Sequence, residues 1–333
     1  VGFRFDMDAL DIGESLDEDH KPVAEGFVSI NDKMMHACGH DSHTTIGLGV
    51  AKVLSEIKDE LSGKIKLIFQ PCEEGVRGAK SMVEAGVVDD VDLFVAGHIG
   101  TGSPFGEFAC ASQGYLATTK LDITFKGVAS HAGGKPEEGK NALLAAATAS
   151  LNLYAISRHS DGASRVNVGV LEAGSGRNII ANHAFLKAET RGVTTDINDY
   201  MYEKAIRVIK AAADMYDCEV DIDIAGGAQT CEANPELIPF LREQAEKVEG
   251  ITSIKDTKQA GGSEDATYMM KRVQDNGGLA SYVVFGTTLA AGHHNEKFDI
   301  DEKAMPLAIQ ILTNVALNAK ETESLKKEEA HIS

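Results

Sequence analysis

The chain opens on a period-two alternation. Val1-Gly2-Phe3-Arg4-Phe5-Asp6-Met7-Asp8 places apolar and polar side chains on opposite faces, so residues 1–8 read as a β-strand. The period then lengthens. Ile46, Val50, Val53, Leu54, Ile57 and Leu61 recur at helical spacing and predict a helix over 41–61. The short apolar run KIKLIFQ, 64–70, stops at Pro71 and reads as a buried strand. A helix over 78–85 and a strand over 91–99 follow. This β-α-β-α-β rhythm predicts an α/β fold with a mostly parallel sheet covered by helices on both faces, whose sites gather at the carboxyl ends of strands.

From about Tyr115 the texture changes. Residues 118–126 (TTKLDITFK) alternate strictly, 141–156 form an Ala/Leu-rich helical run, 165–172 and 184–191 alternate again, and 196–216 are helical before a strand at 219–224. Such an order suggests a compact α+β layer inserted into the first domain. The expected division is 1–113 for the first part of the main domain, 114–228 for the insert, 229–319 for the second part, and a charged, frayed tail over 320–333. In the second part, 235–248 and 301–317 are helical and 280–286 is a strand. Ser263 and Glu264 read as an N-cap and first-turn acid of another helix.

Composition narrows the picture. Of 333 residues, 43% are hydrophobic and only seven are proline, which suits ordinary globular structure of about two domains. Fifty-one acidic against 32 basic residues leave a formal net charge of −19, so the surface repels polyanions and no nucleic-acid partner is expected. No apolar run is long enough to span a bilayer, so no membrane partner is expected either. Five cysteines, an odd number and widely spread, fit a reduced, cytoplasmic setting. Beginning inside a strand and without an initiator Met, the chain is expected to be a fragment or a processed form lacking an upstream segment.

Candidate chemistry concentrates in a few stretches. MMHACGHDSHTTIGLG, 34–49, sets Cys38, His40, Asp41 and His43 around Gly39 at the start of the helix. A thiolate with imidazoles on a tight turn is what a borderline-soft divalent metal selects, although a lone C-x-H is more often a buried free cysteine beside histidines. Glu73 and Glu74 follow the strand KIKLIFQ, and His98 follows VDLFVAG. Adjacent carboxylates there can split roles, one binding metal and the other holding a water; alone, such a pair marks a solvated turn or a helix start. In the insert, His131 sits in the Gly-rich loop GVASHAGG. Asn178 and Arg191, aimed at a common space, would form a carboxylate clamp, or else are a turn Asn and a surface Arg. His293 and His294 return from the far end of the chain, and at least one is a candidate ligand.

The set FRFDMDAL, HACGHDSHT, FQPCEEG, GHIG, GVASHAGGKPEEGKNALLAA, AGSGRNIIANHAFLKAETRG, GGSEDA and AGHHNEKFDIDE resembles, in order and spacing, the peptidase family M20 amidohydrolases, which include auxin-conjugate hydrolases, hippurate hydrolase and N-acyl-amino-acid deacylases. The likeness covers nearly the whole chain. It implies a zinc-peptidase-like catalytic domain with a ferredoxin-like lid and dimerisation domain. It implies two divalent ions, Mn or Zn, held by Cys38, His40, Glu74, His98 and His294, with His293 a neighbour. Glu73 would be the general base, His131 the donor to the oxyanion, and Asn178 and Arg191 the grip on the substrate carboxylate. The implied reaction is hydrolysis of an N-acyl amino acid, expected to be p-aminobenzoyl-glutamate, with hippurate and auxin conjugates as alternatives. A second copy or a homologous B subunit is the implied partner, and a supporting, non-catalytic subunit is the alternative role. Cys72 stands where the family usually has Ala.

Overall fold

A computed structural model of the chain describes residues 1–325; the last part of the expected tail, 326–333, lies outside the described residues. In chain order the elements are β1 (Gly2–Asp6), α1 (Lys21–Glu25), α2 (His40–Glu56), β2 (Lys66–Gln70), α3 (Gly78–Glu84), β3 (Leu93–Ile99), β4 (Glu107–Gln113), β5 (Ala117–Lys126), α4 (Ala142–Tyr154), β6 (Ser164–Ala173), β7 (His183–Gly192), α5 (Thr195–Asp214), β8 (Glu219–Ala228), α6 (Leu237–Glu246), β9 (Ser253–Gln259), α7 (Ala266–Asp275), β10 (Leu279–Phe285) and α8 (Ala304–Asn318). The expected tail begins as a 3-10 turn over Ala319–Glu323.

The chain divides into two compact units. One contains Val1–Gly114, Cys231–Gly261 and the residues from Asp265 on; the other contains Tyr115–Thr230 and Gly262–Glu264.

The first unit is built on a six-stranded sheet of order β2-β1-β3-β10-β4-β9. β2, β1, β3 and β10 run parallel, β4 is antiparallel to β10, and β9 is parallel to β4. The alternation in β1 divides its side chains. Phe3 and Phe5 enter the core shared with α2, α6 and α8, while Arg4 reaches Asp265, the residue before α7. α2 packs on β1 and α8, and α3 pairs with α7. Gly47 permits the close approach of α2 to β1, since a Cβ there would lie 2.7 Å from the Phe5 ring. The mostly parallel α/β architecture is therefore present. Burying Phe3, Ile46, Val50, Leu93, Phe108 and their neighbours contributes roughly 1.5–3 kcal/mol per large side chain.

The second unit has an antiparallel sheet of order β6-β7-β5-β8, reached by the sequence β5-α4-β6-β7-α5-β8. That is the split βαβ arrangement of ferredoxin-like folds. α4 and α5 pack against each other and the sheet, with Ala142, Ala145, Ala146 and Ala149 meeting Met201, Ala205 and Ile209 in one core. Asn141 caps α4 by accepting from Leu144 N at 3.2 Å, and Thr194 caps α5 by accepting from Ile197 N at 3.3 Å.

One expected cap is corrected. α7 begins at Ala266 with Asp265 at its N-cap position, and the Ser263 hydroxyl instead donates to the Leu116 carbonyl at 2.7 Å. An Asp there is better used on Arg4, Gln70 and the Ala79 amide than a serine would be on its own helix.

Candidate metal centre

The carboxyl ends of β1, β2 and β3, the start of α2 and the loop after β10 converge in the first unit. Gly39 makes this possible at α2: its φ of 93° turns the chain left-handed just before the helix, and an added Cβ would stand 2.8 Å from Ile99. Cys38 and His40 therefore leave one tight turn together. Cys38 Sγ lies 3.4 Å from His98 Nε2. Ligand atoms of Cys38, His40 and Glu74 lie within 4.8 Å of one another, as do those of Cys38, His98 and His293. His294 Nε2 is 3.4 Å from Glu74 Oε2, and His40 Nε2 is 3.9 Å from Glu74 Oε1 and 3.9 Å from Glu73 Oε2. The structure thus brings together Cys38, His40, Glu73, Glu74, His98 and His294.

Second contacts aim these donors. His40 Nδ1 lies 3.1 Å from the Asp8 carbonyl and 3.2 Å from its carboxylate, so that nitrogen carries the proton and Nε2 turns its lone pair to the cluster. His98 does the same through Nδ1, 2.8 Å from the Ile99 carbonyl. Asp8 also accepts from Glu74 N at 3.0 Å, tying the two loops together. Strain marks the same loops: among the described residues, Cys72, Val76, Thr101 and His294 have positive φ without being glycine, and only Asp217 does so elsewhere.

Two atoms decide whether a metal fits. His40 Nε2 and Glu74 Oε1 are buried without a hydrogen-bond partner among the described residues. An acceptor lone pair and a carboxylate oxygen 3.9 Å apart cannot satisfy each other, whereas a divalent ion bound at about 2.0–2.2 Å to each would satisfy both. Electrostatics agree. Burial, and then the negative field of Glu74, Glu73 and Asp6, pushes the Cys38 thiol far up. Burial holds His98 well below the usual imidazole range. A site that suppresses its own thiolate and keeps an imidazole neutral lacks positive charge, which is what a bound cation supplies.

The neighbouring cluster of Asp6, His40 and His43 contrasts with it. Ile99 N–H donates to His43 Nε2 at 2.9 Å, so His43 carries its proton on Nδ1, directed at Asp6 Oδ1. Arg4, fully buried, donates to Asp6 Oδ2 at 2.7 Å and to Asp265 Oδ1 at 3.3 Å. Burial alone would raise the Asp6 carboxyl, but Arg4, His43 and His40 hold it well below the usual range. Its oxygens are committed, and Asp6 supports the cluster from beneath.

Sequence reasoning missed Arg4, Asp6, Asp8 and Asp265. Arg4, Asp6 and Asp8 showed in the sequence only as the polar positions of an alternating strand, and Asp265 only as a residue beside a helix start. His293, treated as a neighbour, accepts from Thr101 N at 3.0 Å and packs edge-on to His98 with ring centroids 5.2 Å apart.

In the second unit, His131 and Asn178 come together. Ala132 N donates to the Asn178 carbonyl at 3.1 Å, and His131 forms a backbone bridge with Ile179. Arg191 is not brought to them. It sits at the end of β7 opposite His183, roughly 25 Å along the strand at about 3.3 Å per residue, and its guanidinium is engaged by Glu189 at 2.9 and 3.1 Å. The expected common space for Asn178 and Arg191 is therefore absent within one chain, because they flank opposite ends of the same strand.

Comparison with known proteins adds to this geometry. The profile described as "Peptidase family M20/M25/M40" matches residues 2–318. The chain is 58% identical over 319 residues to the indole-3-acetyl-aspartic acid hydrolase of Enterobacter agglomerans, covering 96% of this chain and 73% of that protein. It is 55% identical over 319 residues, with the same coverage of 96% and 73%, to one of the subunits of p-aminobenzoyl-glutamate hydrolase from Escherichia coli (strain K12). Among solved structures it is similar to an aminobenzoyl-glutamate utilization protein from Klebsiella pneumoniae, with a TM-score of 0.80 and 48% identity, covering 95% of this chain and 70% of that one.

Proposed function

This chain belongs to peptidase family M20/M25/M40 and is a hydrolase of amide bonds; from that premise we propose that it cleaves p-aminobenzoyl-glutamate to p-aminobenzoate and glutamate. Two divalent ions would be held by Cys38, His40, Glu74, His98 and His294. One observation carries the reading: His40 Nε2 and Glu74 Oε1 are buried, without a hydrogen-bond partner among the described residues, and 3.9 Å apart beside a thiol and further imidazoles.

Bound there, divalent ions would lower the pKa of a water to about 7 and polarise the amide carbonyl. The protein's own side chains account for the rest. Glu73 would take the proton of the attacking water and return it to the departing nitrogen. His131 would donate to the oxyanion, a contribution of roughly 3 kcal/mol. Asn178 and Arg191 would grip the substrate carboxylate, Arg191 by exchanging Glu189 for the ligand. Because these two flank opposite ends of β7, one substrate meets both only if a second chain supplies one of them. A second copy or a homologous B subunit would be that chain.

Both relatives compared above are named for amides of an acidic amino acid with an aromatic acyl group, which supports the substrate class. Indole-3-acetyl-aspartate is the rival substrate, and a non-catalytic supporting subunit is the rival role. Turnover of p-aminobenzoyl-glutamate, indole-3-acetyl-aspartate and hippurate, each with and without a partner subunit, tests all of these. A strong preference for either of the other conjugates overturns the proposed substrate. Thiolate, imidazole and carboxylate donors together suit Zn, with Mn the alternative, and metal analysis of the purified protein separates them. We place the protein in the cytoplasm: Cys38, Cys72, Cys110, Cys218 and Cys231 are free thiols, and no described helix is long and apolar enough to cross a membrane.

A further inference from the structure

His131 is held by its own loop in an unusual way. Its Nδ1 accepts two backbone hydrogen bonds, from Gly133 N at 3.1 Å and Gly134 N at 2.9 Å. A nitrogen that accepts cannot carry the proton, so the neutral ring must carry it on Nε2. We infer that Gly133 and Gly134 are positioning residues that lock His131 as an Nε2–H donor, a deepening that rests on the oxyanion role proposed above. Among the described residues no protein group accepts that Nε2 proton, and the side chain is exposed.

The loop is built to keep this geometry. His131 O accepts from both Gly134 N and Lys135 N at 3.2 Å, which curls the chain back under the ring. Ile180 N donates to Ser130 O at 2.9 Å and Ala132 N to Asn178 O at 3.1 Å, so the residues on either side of His131 are stapled to the loop that carries Asn178. An Nδ1–H in the other tautomer would be driven against two N–H groups. An oxyanion needs a donor with its proton already facing it and nothing to reorganise, and this loop supplies one.

The test uses the full-length, metal-loaded protein with ¹⁵N-labelled histidine and long-range ¹H–¹⁵N correlation, His131 being assigned by loss of its signals in His131→Gln. The expected spectrum shows Nδ1 as an acceptor nitrogen and the proton on Nε2. An Nδ1–H tautomer, or an even mixture, in the unaltered chain overturns the inference without any need of a variant. Gly134→Pro deletes the closer amide and should bring a mixture of tautomers with kcat lower by roughly tenfold and KM little changed. Gly134→Ala keeps the amide, and its Cβ would meet His131 Nδ1 at 3.4 Å, an ordinary contact, so spectrum and kcat should stay as they were. A folded Gly134→Pro protein with an unchanged tautomer also overturns the inference. If the spectrum is as expected but His131→Gln turns over normally, the lock stands and the oxyanion role falls.

Discussion

Two adjacent clusters in the first unit contain the same kinds of residue and behave oppositely. Around Asp6, Arg4 and His43 neutralise the carboxylate and Ile99 N–H fills the remaining His43 nitrogen, while His40, which the two clusters share, leaves its Nε2 to the other. In the cluster of Cys38, His40 and Glu74, His40 Nε2 and Glu74 Oε1 have no hydrogen-bond partner among the described residues. Both groups have ligand atoms close enough for a metal. The difference shows that ligand type and spacing mark a candidate, while the unsatisfied atoms choose between candidates. A satisfied cluster has nothing to gain from a cation, whereas an orphaned one regains the cost of its buried polar groups.

The largest effect expected from disturbing this contrast is on chemistry. Glu73→Gln keeps the shape of the site and removes the base, so kcat should fall by up to about 10⁴-fold while the metal content stays unchanged. Paired assays and metal analysis check this. Retained turnover would take Glu73 out of its role, and lost metal would move it among the ligands.

Next comes the satisfied cluster. Arg4→Met removes the guanidinium that donates to both Asp6 and Asp265 and leaves two buried carboxylates each short of one charged partner, a change costing about 3–5 kcal/mol. Urea unfolding of the metal-free protein measures it. A loss below about 1 kcal/mol would mean that Arg4 is only a bystander to those charges.

How much of this was legible in the chain follows from where each signal lives. α2 and β7 announce themselves by period, because one face of each is buried and the other is not; β1 alternates in residue type although all five of its residues are buried. β4 does not: its EFACASQ is buried at Phe108, Ala109, Cys110, Ala111 and Ser112 on both faces, so nothing alternates. β9, SIKDTKQ, is an edge strand with no fully buried residue, only Ile254 packing against the core, so no apolar pattern marks it. The donors of the metal cluster were legible because each sits in a compact motif at a strand end, at the start of α2 or in the loop after β10. Arg4 and Asp6 looked like the polar half of an alternating strand. Their burial depends on Asp265, which lies 261 residues from Arg4 in sequence. Arg191 shows the opposite limit, since alternation locates it on a strand but cannot say which end of the sheet it occupies.

Acid should separate the clusters further. In the metal-free chain His98 lies well below its usual range, and burial with the nearby His294 lowers His293 to about 4. The unfolded chain binds protons at both from about pH 6.5 downward, before the folded chain does. Their stabilisation is therefore complete above pH 6.5 and is lost as pH falls toward 4, at no more than about 1.4 kcal/mol per pH unit for each proton. His40 opposes this. Burial lowers it, but Asp8 and Asp6 outweigh burial and raise it, so its contribution is present below pH 6.5 and lost as pH rises. Asp6 and Asp8 act only below about pH 4, being held down in the fold. The net expectation is a melting temperature that falls between pH 7 and pH 5 in chelator-treated protein. A flat profile would mean that His98 and His293 are hydrated enough to charge freely.

The smallest expected effect tests the contrast most directly. Glu74→Gln replaces a carboxylate whose Oε1 lacks a partner with an amide of the same shape, and that amide can donate to the bare His40 Nε2 3.9 Å away after a small shift. Without metal, stability should therefore change by less than about 1 kcal/mol, in either direction. With saturating Zn or Mn chloride the unaltered chain should melt higher and the variant should gain little, because a neutral amide is a poor replacement for a charged ligand. Melting curves with and without the ion give both numbers from one sample. A variant that loses several kcal/mol when metal-free would show that the Glu74 carboxylate is already satisfied, and the distinction between the two clusters would then disappear.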